Sequence, residues 1–389
     1  QAARVQLEAV LAQQPDNLEL LKTLGANAFW LGQIQYDASN WQGTQPEFER
    51  YYQYSQRMYE LAPDNLDAIM ELSYATNSLG SLAMKQQQFD KARQSFEESL
   101  KLRLLVQKQQ PDNRKLLADI ANTRSWLASA AEASGDIVSA IATHKQLQAD
   151  LEETDIAQEP YLLHRLASSY QFLADLFGYQ NNLDEARSAA IQGFSALSKA
   201  LAQDPDNAAW QRRKYYYYYQ DFKFANGLSA QQIELYVADL SKYMEADMAF
   251  LSDSHQKENN AKHWLTAAEH LERIAEYQRS KAYADKALTM YGELLKLSPK
   301  NNSYVAGIAD SQLLKARLLH KMTQLHVSAD LCQNARDMLS TIATNNRTPR
   351  YTITYAKVLD CLGQLHDSPE LVSLLHQNGV VNFRFNPQP

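Results

Sequence analysis

Glycine and proline are scarce, at 12 and 11 of 389 residues, and cysteine occurs twice. So few turn-forming residues argue against a loop-rich or all-β chain. Two cysteines, Cys332 and Cys361, are too few for a disulfide framework and do not fix the redox compartment. Their expected role is that of buried thiols serving as small apolar fillers rather than as a disulfide. The glycines are scattered and none are adjacent, so there is no glycine-rich phosphate loop. There is likewise no Walker motif, dinucleotide fingerprint, nucleophile elbow or kinase signature. No apolar run approaches the length of a membrane span. A net charge of −7 removes any general attraction to nucleic acid or an anionic membrane. His263 and His270 are seven apart and His320 and His326 six apart, so neither pair has the i, i+4 spacing of a helical zinc site. Cys361 with His366 is only suggestive, and the histidines are expected on polar helix surface or partly buried. No metal, no cofactor and no catalytic residue are expected.

Ala, Leu, Gln, Glu and Lys dominate most windows, and these are helix formers. Hydrophobic residues at 45% supply material for a core. The organisation shows in the prolines. Pro-Asp-Asn occurs at Pro15, Pro63, Pro111 and Pro205, Pro-Lys-Asn at Pro299, and Pro160 and Pro349 fall in the same series. The intervals are 48, 48, 49, 45, 94 and 50 residues. The 94 reads as two periods with one proline lost, near Ser252 to Asn260. Proline cannot sit inside a helix without losing a hydrogen bond and clashing with the preceding turn, and Asp and Asn cap helix starts. Each Pro-Asp-Asn therefore ends one helix and begins the next.

A second pattern lies within each period. Leu79-Gly80 is followed by Phe89, Ala92 and Phe96, and Leu127-Ala128 by Ile137, Ala140 and His144. Leu173-Ala174 is followed by Leu183, Ala186 and Ala190, and Ile274-Ala275 by Ala284, Ala287 and Tyr291. The small residue and the second small residue are twelve apart, as two closely packed antiparallel helices require at their crossing. Turn signals such as Gly135-Asp136 and Asn181-Asn182 lie between.

This signature resembles that of the tetratricopeptide repeat (TPR) family over nearly the whole chain. The period is about 48 residues rather than 34, which implies longer helical hairpins. HEAT-type repeats are the alternative; the twelve-residue spacing favours TPR. The stretches Ala28 to Gly32, Glu71 to Gly80 and Asp119 to Ala128 are similar to the C-terminal repeat region of large bacterial multidomain signalling proteins. That resemblance implies a regulatory domain elsewhere in the polypeptide. The fold expected is all-α, a superhelical solenoid of about eight antiparallel helix pairs. Residues 1–14 read as the second helix of a truncated preceding hairpin, and a start at Gln1 hints that the natural protein extends upstream. Residues 15–377 form the array, with repeats beginning near 15, 63, 111, 160, 205, 254, 299 and 349. The first repeat carries an insertion around Asp37 to Pro46, the fifth fits poorly, the last is shortened, and 378–389 is a non-helical tail.

In TPR arrays the first helix of each hairpin lines a concave groove. The resemblance implies groove positions at Phe29, Gln33 and Tyr36; Tyr74, Asn77, Ser81 and Met84; Asn122, Ser125, Ser129 and Glu132; Ser168, Gln171 and Asp175. Tyr216, Tyr219 and Lys223 follow by alignment, then Asp310, Arg317 and His320. The groove reads as polar, without the paired Lys and Arg that clamp a carboxylate in chaperone-binding TPR domains. Tyr215 to Tyr219, after Arg212, Arg213 and Lys214, turn through about 500° of helix and so reach both faces. They fill a widely spaced repeat, or else form an aromatic and basic binding patch. The function expected is a non-enzymatic protein-interaction module, a scaffold or sensor arm holding a protein or peptide segment. A structural spacer or a homodimerisation module is the alternative, and an unrecognised enzyme or RNA binder comes after it. The location expected is cytoplasmic, or periplasmic if a membrane span precedes the region.

Overall fold

A computed structural model describes residues 2–248, 254–299, 301–342, 348–381 and 383–385. The elements run α1 (Ala2–Gln13), α2 (Leu18–Asp37), α3 (Trp41–Leu61), α4 (Leu66–Lys85), α5 (Phe89–Gln109), α6 (Arg114–Ala133), α7 (Ile137–Glu152), α8 (Pro160–Tyr179) and α9 (Leu183–Gln203). They continue as α10 (Ala208–Phe224), α11 (Ala230–Met248), α12 (Ser254–Arg273), α13 (Tyr277–Leu297), α14 (Asn302–Lys321), α15 (Leu325–Ser340), α16 (Pro349–Cys361), a 3₁₀ turn (Leu365–Asp367) and α17 (Pro369–Gln377). No strand occurs among the described residues.

The asparagine of each Pro-X-Asn does the capping. The side chains of Asn17, Asn65, Asn113, Asn207 and Asn301 accept from the backbone N–H groups of Leu20, Ala68, Leu116, Trp210 and Tyr304, which satisfies donors that a helix start leaves free. Pro160 and Pro349 act differently. Each is the first residue of its helix, where a missing N–H costs nothing. First helices consequently begin at 18, 66, 114, 160, 208, 254, 302 and 349, a more even spacing than the prolines show. The proposed loss of a proline near 252–260 falls partly outside the described residues.

Counting from these starts fixes the crossing. Fourteen residues into the first helix lie Gly32, Gly80, Ala128, Ala174, Ala268 and Ala316, all buried. Twelve later come Thr44, Ala92, Ala140, Ala186, Ser280 and Ser328, each no more than 3% exposed. Four further on, Phe48, Phe96, His144, Ala190, Ala284 and Cys332 fill the space beside them. The fit is tight: a Cβ added at Gly80 would sit 2.7 Å from the Phe96 ring, and at Gly32 2.5 Å from Phe48.

This register corrects two expectations. The small residue of the sixth repeat is Ala268, not Ala275, because Ala275 occupies the left-handed turn after α12 (φ +62). Its partner is Ser280, whose hydroxyl donates to the Ala268 carbonyl at 2.7 Å and so hides its polarity at the contact. Ser328 does the same to Ala316 at 2.8 Å. Nor does the first repeat carry an insertion. Residues 37–46 hold the end of α2, a turn at 38–40 and the start of α3, with Thr44 at the crossing donating to the Asn40 carbonyl at 2.9 Å.

The fifth pair departs for a visible reason. Phe222 occupies the position that is small elsewhere, and its ring stacks on Tyr236 (4.8 Å) and His270 (4.0 Å). The tyrosine run divides accordingly. Tyr217 and Tyr219 are 1% and 3% exposed and belong to the core, while Tyr218 faces outward at 37%. Tyr216 is half-buried, and the surroundings of the Arg212 and Tyr215 side chains lie outside the description.

Two compact units divide the chain, residues 1–169 and 170–389. In the first, clusters around Leu21 and Met58, Ala28 and Tyr51, Leu72 and Ile120, and Phe96 and Ala130 form the core. In the second, Trp264, Leu271, Phe222 and Leu318 anchor one cluster and Leu339, Val358 and Phe385 another. Cys332 and Cys361 are joined in a disulfide between α15 and α16, which corrects the expectation of two thiols. Both cysteines face the same seam, because Cys332 is the crossing filler of α15 and Cys361 ends the helix packed against it. The described residues of the tail, 378–381 and 383–385, are non-helical but packed. Val380, Phe383 and Phe385 are buried, and Asp360 accepts from Arg384 at 2.6 Å and from the Phe385 N–H at 2.9 Å.

Candidate functional site

First helices of the second unit turn the same face to one cleft of ≈ 310 Å³. Two rows build it. Asp175, Lys223, Glu269 and Arg317 lie one residue beyond the crossing positions of α8, α10, α12 and α14. Tyr216, Lys262, Asp310 and Lys357 lie eight residues after the starts of α10, α12, α14 and α16. Leu265, Leu313 and Leu314 supply an apolar floor, and Arg350, Ile353 and Thr354 complete the α16 wall.

Most charges here are matched in pairs. Lys223 meets Asp175 at 3.0 Å, and the same carboxylate accepts from the Tyr216 hydroxyl at 2.9 Å. Burial works against the Lys223 ammonium, yet Asp175 beside it raises the pKa above the ordinary value. Burial raises the Tyr216 pKa, and the Asp175 charge adds to the shift. Arg317 grips Glu272 through two nitrogens at 2.6 and 2.8 Å, and Lys321 reaches the same carboxylate at 2.9 Å. Burial favours the neutral form of Glu272, but these two cations hold its pKa below the usual carboxylate value. Arg350 pairs with Asp310 at 2.7 Å, and Thr354 donates to the other oxygen of Asp310 at 2.6 Å. Lys262 pairs with Glu258 at 2.9 Å, and burial leaves its pKa lowered. Lys357 and Glu269 line the cleft without forming an ion pair among the described residues. Burial lowers the Lys357 pKa, with the field of Glu269 opposing it.

Asp175, Tyr216, Tyr219, Lys223, Asp310 and Arg317, all named from the sequence, thus meet in one cavity. Tyr219 contributes its edge, its hydroxyl being 3.0 Å from Thr266. Gln171 lies outside the cavity lining, its carbonyl accepting from Gln220 at 2.9 Å. His320 is exposed and approaches Phe385 edge-on. The cleft is charged, not the Asn, Ser and Gln groove expected. Lys262, Glu269, Arg350 and Lys357 were missed because the sixth repeat was read seven residues out of register and the eighth shows no small-residue pair. Counting from the helix starts recovers Lys262, Glu269 and Lys357.

In the first unit the named positions are half-buried. Phe29 and Tyr36 pack on Phe48 at 6.2 and 6.1 Å. Gln33 donates to Asp37 at 2.7 Å, and Tyr74 to Asp119 at 2.8 Å. Ser81 and Ser125 donate to carbonyls of their own helices, from Asn77 and Ala121. Met84 packs against the Phe96 cluster, and Asn122, Ser129 and Glu132 are half-buried, as is Ser168 at the end of this unit. Tyr74 lines a pocket of ≈ 250 Å³ with Glu71 and Asp119. Three of the histidines are more buried than expected: His144, His263 and His270 are at most 4% exposed. No group of metal-ligating side chains occurs among the described residues, and no described helix is long and apolar enough to cross a membrane.

No protein-family model matches the chain, and no curated protein matches it. Solved structures do. One is the apo form of RapI, at 10% identity and a TM-score of 0.56, covering 82% of this chain and 99% of that one. Another is a Rap protein complexed with competence and sporulation factor, at 12% identity and a TM-score of 0.50, covering 92% and 88%. At such identities the likeness establishes architecture. Together with the small-residue crossings, it shows that this chain has a TPR-like helical-repeat fold.

Proposed function

We propose that the chain is a non-enzymatic interaction module whose second unit holds a peptide or protein segment in the cleft between α8, α10, α12, α14 and α16. The observation that carries this reading is the cleft itself: paired charges and tyrosine hydroxyls around a leucine floor, a mixture suited to main-chain groups and side chains together. The structural neighbour complexed with competence and sporulation factor has the same architecture, which supports binding by this class of surface. The resemblance to bacterial signalling proteins supports a role as the sensor or scaffold arm of a larger protein. The Cys332–Cys361 disulfide favours the extracytoplasmic of the two locations left open by the sequence.

Selection from a random peptide library against the purified chain tests the reading. Ile353 lines the cleft and is only half-buried, so Ile353→Trp fills the space without emptying the core. Selected peptides are expected to bind wild type and to lose affinity for Ile353→Trp at unchanged melting temperature. Recovery of no peptide above background, or equal binding to the variant, contradicts the proposal.

A second reading, self-association, rests on α2. Ile34 is 61% exposed, whereas its counterparts Leu82, Ala130, Leu176, Phe224, His270 and Leu318 are all buried against neighbouring helices. Trp30, one turn earlier, is 64% exposed. A second copy covering this face gives a concentration-dependent dimer in sedimentation velocity that Ile34→Lys abolishes; a persistent monomer removes the reading.

A further inference from the structure

Lys357 and Glu269 differ from every other charged group of the cleft. Asp175, Lys223, Lys262, Asp310, Arg317 and Arg350 each hold an opposite charge within 3.0 Å. These ions are already neutralised and oriented, and a ligand that displaced their partners would lose as much as it gained. The Lys357 ammonium has no such partner among the described residues, although burial lowers its pKa and thus already penalises its charge. Glu269 lies on α12 across the same cavity, close enough for its field to act on Lys357, but makes no ion pair among the described residues. An unmatched charge half out of water is costly unless an opposite charge is supplied. Two of opposite sign in one cleft select a ligand that carries both.

We propose that the cleft is specific for a bipolar segment, a peptide presenting a carboxylate to Lys357 and a basic group to Glu269. This rests on the reading of the cleft as a peptide site and adds its chemical specificity. With Lys223, Lys262, Arg317 and Arg350 each neutralised by an acid, Lys357 is the cation of the lining left to meet a carboxylate and Glu269 the anion left to meet a base. The paired groups set the shape of the cavity, and the unpaired ones set which guest enters.

The test uses the full chain and acetylated, amidated nine-residue peptides. One position carries Glu, Gln or Lys, a second carries Arg or Gln, and the rest are randomised. Blocked ends ensure that only side chains supply charge. Peptides with Glu and Arg are expected to be enriched over those with Gln at both positions by roughly ten- to a hundredfold, the range of a charge-assisted hydrogen bond. Lys357→Glu should reverse the preference at the acidic position from Glu to Lys, and Lys357→Met should abolish it. Glu269→Gln should remove only the preference for Arg. Thermal melts of each variant separate lost recognition from lost folding, and the reversal by Lys357→Glu cannot come from misfolding. Peptides that bind and are displaced by Ile353→Trp, yet show equal affinity for Glu and Gln, overturn the bipolar specificity and leave the peptide site standing. If no peptide binds at all, the site reading falls, and this inference with it.

Discussion

Reduction of the Cys332–Cys361 disulfide should loosen the last repeat and leave the first unit untouched. The bond closes a loop across 29 residues. Chain entropy for a loop of that length amounts to roughly 3.6 kcal/mol, equivalent to a few-hundredfold in the local opening equilibrium. The effect should be concentrated at α16, which has 13 residues where most first helices have 20. It packs through Tyr351 and Val358 into the same cluster as Cys332 and Phe385. Hydrogen–deuterium exchange with and without a phosphine reductant reads this directly. Amides of α15, α16 and the tail should exchange faster by up to that factor, while α4 and α5 keep their rates. Because α16 carries Arg350, Thr354 and Lys357, reduction should weaken any cleft ligand as well. Equal exchange in both conditions would refute the reasoning, as would two thiols titrating in the unreduced native protein.

Further outcomes follow from the packing. Gly80→Val places a side chain within 2.7 Å of the Phe96 ring; overpacking should destabilise by about 1–3 kcal/mol in urea melts, and a wild-type midpoint would contradict the crossing geometry. Thr323 holds a left-handed φ of +63, which strains a β-branched residue, so Thr323→Gly should stabilise by about 1 kcal/mol; a lower melting temperature counts against it. Burial holds His263 and His270 each down to about 3 from an ordinary value near 6.5. Above pH 6.5 neither the folded nor the unfolded chain protonates them, and stability is fully present. Below it the unfolded chain binds protons that the folded chain excludes. Stability should then fall by about 1.4 kcal/mol per pH unit for each histidine down to about pH 3. Urea midpoints that stay flat between pH 7 and 5 would contradict their burial.

The repeat could be read from the sequence because its causes are local. Asn65 caps its helix wherever the rest of the chain goes, and Gly80 with Ala92 marks a crossing through the spacing alone. What the sequence concealed depends on partners far along the chain. Ser280 and Ser328 look unsuited to a helix crossing until each is seen donating to a carbonyl of the facing helix. Ala275 has the composition of a crossing residue and the backbone of a turn. Phe222 replaces a small residue, and the space it needs comes from the stacking of Tyr236 and His270. The cysteines are 29 residues apart in sequence, and only the packing of α16 on α15 brings their sulfurs together. In the cleft, α10 and α14 could be aligned by eye, which placed Tyr216, Lys223, Asp310 and Arg317. Lys357 could not, since α16 ends before its own crossing position. Its unpaired state is a fact about its surroundings: Asp310 is engaged by Arg350 and Thr354, and Glu269 acts on it only through its field.

The claim that the second unit is the binding site can be tested by one measurement, the hydrogen-exchange footprint of a selected peptide on the intact chain. The account predicts protection confined to segments around 171–178, 216–223, 262–269, 310–317 and 350–357, with the outward faces of α9 and α13 unchanged. Protection restricted to residues 1–169, or to the second helices of the pairs, would contradict it.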